Sequence, residues 1–330
     1  MRKFLILILL ASLGLSAGEM KKLGQAGFKF MDVQLSARSA GMGGASTLVG
    51  DDANAIFQNP AGIAKLEKKI DFMFSKVSWI AESELNAVGF VANLGNFGCV
   101  GFSFFTPDYG KVIGTIVSTD SLGYKEIGEL ELGAYATGIS YARRLTEKFM
   151  IGGNLRYAYN HLGASPFEGT EGDTVWKDNE ASTLVYDIGT IFYPGFKSFG
   201  FGMSILNFSP AVKYEFKDLR TTGFWLPLKF NLGVVMDVLD FLGEHPDYSL
   251  LVEFDLIHAR DHGRRFHLGG ELSVTRIFKL RAGYKFGYDE ESWSGGIGIN
   301  TGNIKLDFAY SEFGQFNEDF VNRVTLGFSF

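Results

Sequence analysis

The chain has 330 residues, and once Arg2 and Lys3 at its basic start are set aside, 29 basic side chains face 37 acidic ones. That balance excludes nucleic acid as a partner, because binding phosphates needs clustered Lys and Arg. One cysteine, Cys99, excludes a disulfide scaffold, while 32 Phe, 13 Tyr and 42 Gly against 7 Pro point to an aromatic, glycine-rich sheet.

Residues 1–18 read as a cleavable signal peptide: a basic start, the apolar run Phe4–Leu15, then the small residues Ser16, Ala17 and Gly18. No later apolar run reaches the roughly 18 residues that a membrane helix requires. Residues 19–69 follow, too apolar for a linker and too broken for one helix or strand. Gly41, Gly43 and Gly44 permit tight turns and close backbone approach. Asp51-Asp52-Ala53-Asn54 opens a short helix capped by Asp51 or Asp52, with Ala53, Ile56 and Phe57 on its buried side. Asn59-Pro60-Ala61-Gly62 is expected to stop that helix, since proline restricts the residue before it and cannot continue the ladder.

From residue 70 onward the pattern has a period of two. In the final segment Val324, Leu326, Phe328 and Phe330 share one face, and Arg323, Thr325, Gly327 and Ser329 the other. The same template places fourteen strands near 70–80, 84–94, 97–106, 128–142, 147–161, 182–193, 196–207, 225–239, 247–258, 264–275, 277–288, 292–301, 303–312 and 321–330. The long connections 107–127, 162–181 and 208–223 follow strands three, five and seven, so they fall at one end, whereas the other end has short turns. Such asymmetry, an even strand count and strands of roughly 9–11 residues are features of an outer-membrane barrel. In lipid an open sheet edge has no water to satisfy it, so the strands must close. Domain 70–330 is therefore expected to be an all-β, antiparallel up-and-down transmembrane barrel. Lys229, Glu253, Asp255, Glu271, Lys279, Arg281, Lys305, Asp307 and Arg323 then face the lumen as mixed charges. Trp79, Trp225 and Trp293 suit the aromatic girdles. Fourteen strands enclose more room than their own side chains fill. The segment 19–69 is the available hatch inside the lumen.

The stretch "ARSAGMGGASTLVGDDANAIFQNPAGIA" resembles the N-terminal signature of FadL-like outer-membrane barrels, and is especially similar to the PorV/PorQ branch. That resemblance implies a fourteen-stranded barrel with an N-terminal hatch. Leu326, Phe328 and Phe330 resemble the terminal signal read by the barrel-insertion machinery. The resemblance implies a protein-secretion role of type IX kind, with secreted proteins as cargo; the alternative is FadL-type transport of hydrophobic small molecules such as long-chain fatty acids. Outer-membrane lipid and lipopolysaccharide are the surroundings this location implies.

Enzymatic activity is not expected: no Gly-x-Ser-x-Gly elbow is present, and carboxylates such as Glu253 and Asp255 are expected to pair with lumen Lys or Arg. No cofactor is expected, and no metal. His258, His262 and His267 with Asp261 form a hairpin cluster, but Arg260, Arg264 and Arg265 add positive charge around it. The glycines at 41–44 lack the Lys-Ser/Thr of a phosphate loop.

Overall fold

Strand-by-strand alternation of buried and exposed residues dominates the computed structural model, which describes residues 26–119, 121–168, 174–214, 223–243, 245–314 and 321–330. The signal peptide expected at 1–18 lies outside the described residues. The strands are β1 (Ile70–Ser78), β2 (Glu84–Asn93), β3 (Cys99–Asp108), β4 (Ile113–Val117), β5 (Tyr124–Glu129), β6 (Leu132–Arg144), β7 (Phe149–Glu168), β8 (Thr174–Phe192), β9 (Gly200–Phe208), β10 (Lys229–Asp237), β11 (Tyr248–Ala259), β12 (Arg264–Val274), β13 (Phe278–Phe286), β14 (Glu291–Asn300), β15 (Ile304–Phe313) and β16 (Val321–Ser329). All but β4 and β5 close into one antiparallel barrel of fourteen strands, with β1 pairing β16 from Asp71↔Ser329 to Ser78↔Asn322. Each expected strand corresponds to a barrel strand.

Closure follows from the two faces. On β1 and β16 the side chains of Phe72, Phe74 and Val324 are exposed, while Met73, Ser75, Arg323 and Thr325 are buried. Exposed Phe102, Phe104, Ile139, Leu155, Ile188, Phe254, Leu280, Ile297 and Phe308 continue the apolar exterior around the ring. An aqueous protein would not spread so much apolar surface over one band. Charged positions expected in the lumen are buried or half-buried on the opposite face. No helix among the described residues is long and apolar enough to cross a membrane.

Three expectations change. The connection after β3 is not a plain loop: β4 and β5 form a separate two-stranded sheet. The connection 162–181 is largely strand, because β7 and β8 continue pairing up to Glu168↔Thr174. β6 ends opposite Leu162 and β9 opposite Tyr186, so this hairpin extends beyond its neighbours. Trp79 is no girdle residue. It packs edge-on against Phe313 at 5.1 Å and lies under the Arg323 guanidinium at 5.4 Å, on the lumen side. Trp225 and Trp293 are exposed as expected. Cys99 is free and buried, consistent with a small hydrophobe.

Candidate ligand site in the barrel lumen

The described residues before β1 fold as four short helical turns, of which the first, Lys29–Asp32, has no side-chain cap and the other three each have one. Ser36 accepts from the Ser39 N–H at the start of α1 (Ala37–Gly41). Asp52, not Asp51, accepts from the Asn54 N–H and caps the 3₁₀ turn Ala53–Phe57; its Oδ1 also takes the Asn54 amide at 3.1 Å. Asn59 accepts from the Ala61 N–H and caps a third turn, Pro60–Lys65. Pro60 thus begins a turn instead of only ending one: at a first helical position its missing N–H costs nothing and its φ is already suitable. Ala61 is fully buried, and a Cβ on Gly62 would lie 2.8 Å from the Gly50 carbonyl oxygen.

Barrel side chains meet this segment on every side. Arg38 forks onto Glu271 at 2.8 and 2.7 Å and reaches the exposed Asp51 at 2.8 Å. Arg281 spans Glu271 and Asp307, both at 2.6 Å, and Lys305 reaches Asp52 at 3.0 Å. Opposite them, Asn154 donates to the Ile56 carbonyl at 2.9 Å, and the Asn59 amide donates to the Thr47 carbonyl at 2.8 Å. Glu253 and Asp255 correct an expectation, because no Lys or Arg among the described residues lies within ion-pair distance of them. Instead, Asp255 accepts from the N–H groups of Ser46 and Thr47 at 2.9 and 3.1 Å, and Glu253 accepts from that of Leu48 at 2.7 Å. Gly43 has φ +65, and Gly44 lies against the ring of His267. Gly41 approaches the Gly296 backbone, so small residues face each other where two backbones meet.

Between this segment and the end that carries the long connections lies a cavity of about 450 Å³. Trp79, Tyr109, His262 and Tyr288 line its outer part, and Leu35, Thr47, Phe57 and Gln58 the part formed by the segment. One flank is apolar: Phe30 packs on Phe105 at 5.7 Å between centroids, and Phe57 on the same ring at 5.9 Å. The other is charged. Asp32 lies 3.0 Å from Lys29 and 2.7 Å from Lys229, and Lys285 pairs with Glu291. Burial pushes Tyr288 to a higher pKa, with Glu291 acting in the same direction, so its hydroxyl stays protonated in a 2.7 Å hydrogen bond with His267. His258 is exposed on the outer face whereas His267 is buried on the inner one, so the hairpin histidines do not converge. Asp289 and Glu290 border the cavity with Glu291.

Phe30, Asp32, Tyr109 and Tyr288 are cavity residues that the sequence pattern did not single out. They come from turns and strand ends, where no alternation marks them. Burial by itself would raise the Asp32 pKa, but Lys229 and Lys29 outweigh it and hold the carboxyl below its usual range. A depressed carboxyl contributes stability above its unfolded pKa, about 3.9, and loses it as pH falls towards the lowered folded value. Amide exchange at Lys29–Val33, corrected for intrinsic rate, is therefore expected to stay level from neutral pH to about pH 5 and to accelerate only in stronger acid. Acceleration already between pH 7 and about pH 5 would contradict the ion pairing.

The model of the uncharacterised protein family UPF0164 matches residues 9–192, a span that holds this segment and the strands through β8. The chain belongs to that family. No curated protein matches the sequence of this UPF0164 member. Solved structures do resemble its fold. The toluene transporter TbuX of Ralstonia pickettii has a TM-score of 0.61 at 13% identity, covering 95% of this chain and 100% of its own. The toluene transporter TodX of Pseudomonas putida follows at 0.57 and 12%, with 93% and 98% covered. A FadL homologue of Pseudomonas aeruginosa gives 0.52 and 12%, with 89% and 96% covered. At such identity the likeness is one of architecture: a closed fourteen-stranded barrel of the FadL type.

Proposed function

We propose that this protein is an outer-membrane channel for hydrophobic small molecules, with residues 26–69 as its hatch. The carrying observation is the cavity between the long-connection end and that segment, inside a FadL-type barrel. Its volume, about 450 Å³, suits a small molecule, since such sites measure roughly 300–1,000 Å³. A molecule entering from the loop end meets Tyr109 and Trp79 and comes to rest against Phe30 and Phe57. Passage further then requires the hatch to shift. The likenesses to toluene transporters support this reading more than a secretory one, which draws on the PorV/PorQ-like motif alone. In that motif Asp52, Asn59 and Gly43 all have local packing or capping tasks, and these a channel hatch needs equally.

The test uses cells whose outer membrane excludes alkylbenzenes. Production of the full chain, recovered in the outer-membrane fraction, is expected to speed entry of propylbenzene several-fold. Unchanged entry at verified levels of folded barrel would remove the transport reading.

A further inference from the structure

Part of the cavity wall carries polar atoms that the fold leaves unpaired. Among the described residues, Gln58 Nε2, Arg156 Nε, Asn231 Oδ1 and Asp255 Oδ1 are buried and meet no hydrogen-bond partner, and all four residues line the cavity. The register keeps them together. Gly233 on β10 opposes Asp255 on β11, which sets Asn231 diagonally across from that carboxylate. The Asn231 amide donates to Ser204 Oγ at 3.1 Å, and Ser204 in turn donates to the Gln58 carbonyl at 3.1 Å. Arg156 is fixed beside them by Asp187 and by Asn207 at 3.0 Å. Leu35, Phe57, Leu206 and Ile257 supply apolar wall in the same cavity.

Of these four atoms two are donors and two are acceptors, and His267 Nδ1, unpaired on the same wall, serves as either according to its tautomer. Leaving such groups unpaired in a buried site is unfavourable, so the wall favours a ligand head that can both donate and accept. A plain hydrocarbon satisfies none of them. A carboxylate head sets its charge against Asp255, with Glu253 two residues away on the same face of β11. An ammonium head could reach Asp255 but has no lone pair to accept from Gln58 Nε2 or Arg156 Nε, so both donors stay unpaired. A hydroxyl avoids both conflicts: it donates to Asn231 or Asp255 and accepts from Gln58.

Resting on the transport reading above, we propose that the cavity selects neutral apolar molecules bearing a hydroxyl group, phenols in particular. The hydroxyl lies among Gln58, Asn231 and Asp255, and the ring lies against Phe57, Leu206 and Ile257. The Gln58 and Asn231 amides meet the head by rotation about their terminal torsions, which are soft. Asp255 is held in place by Ser46 and Thr47.

Calorimetric titration of the detergent-purified full chain compares para-propylphenol, propylbenzene and para-propylbenzoate. The phenol is expected to bind about tenfold tighter than the hydrocarbon, the scale of one hydrogen-bonding group left unpaired. Asn231→Leu is expected to reduce that ratio below about threefold, chiefly through weaker binding of the phenol. Gln58→Leu, on the hatch and not in a strand, gives the same readout should the first variant fail to fold. Equal binding of phenol and hydrocarbon would overturn the hydroxyl inference and leave the transport reading in place. Tightest binding of the benzoate would overturn it in favour of an anionic head. Binding of none of the three would remove the transport reading as well.

Discussion

Deleting residues 26–66 is expected to turn a closed barrel into one that conducts ions steadily in a planar bilayer. A ring of fourteen strands is wider than its own inward side chains can fill, and here the missing volume comes from the segment before β1. Met42, Leu48, Ile56, Ala61 and Ile63 are almost completely buried against the wall. The barrel itself should survive the deletion. Its ladders run from strand to strand, and β1 still pairs with β16. Wall charges also keep partners of their own: Arg281 remains between Glu271 and Asp307, and Lys305 stays 3.7 Å from Asp71. The buried carboxylates Glu253 and Asp255, uncovered by the deletion, lose their N–H donors, but water in the opened bore replaces them. Single-channel recording of the deleted and intact chains, matched for heat-modifiable mobility, decides the point. A deleted barrel that stays as closed as the intact one would show that the segment is not the seal.

The barrel was legible in the sequence because lipid imposes a strict rule. Each strand must turn apolar groups outward and can turn polar ones inward, and that period survives in segments as different as Phe278–Phe286 and Ile304–Phe313. Beyond the apolar band the rule lapses. In the β4–β5 sheet, outside the barrel ring, Tyr124–Glu129 is almost wholly exposed, has no apolar stripe and reads as a loop. The cap at Asp52 was half visible, as one of two candidates, and the turn it opens does stop before Asn59-Pro60; that the same pair caps and begins a further turn was not visible. The cavity was not legible. Its residues Asp32, Asn231, Asp255 and Tyr288 are spread over more than two hundred positions, and only strand register places them together. The Glu253–Asp255 pair misled for a related reason. A mixed-charge lumen suggests ion pairs, whereas the backbone N–H groups of Ser46, Thr47 and Leu48 are the partners the fold supplies.

Gly283→Ala is expected to loosen the segment before β1 while the barrel remains intact. Gly283 faces the lumen on β13, opposite Ser294. A Cβ built there would lie 2.0 Å from the Gly43 nitrogen and 2.1 Å from the Met42 carbonyl carbon, which are backbone atoms with no rotamer to yield. Something must shift, and the two neighbours differ in what holds them. β13 is bonded along both edges, from Phe266↔Phe286 on one side to Phe278↔Ile299 on the other. The Met42–Gly44 turn is tied mainly to its own α1, through N–H groups donating to Ala40 and Ser39. The turn therefore moves. Overpacking of this kind costs about 1–3 kcal/mol, and the displaced turn draws Ser46 and Thr47 away from Asp255. Gly295→Ala is the control: on the neighbouring strand its Cβ would come no closer than 3.8 Å to another atom, the Arg281 carbonyl oxygen. The expected pattern is faster amide exchange at residues 42–48 and intermittent conductance for Gly283→Ala, with neither for Gly295→Ala. Equal exchange in the two variants would mean that Met42–Gly44 does not rest on the β13 backbone as described, and the account of how the segment before β1 is seated would have to be abandoned.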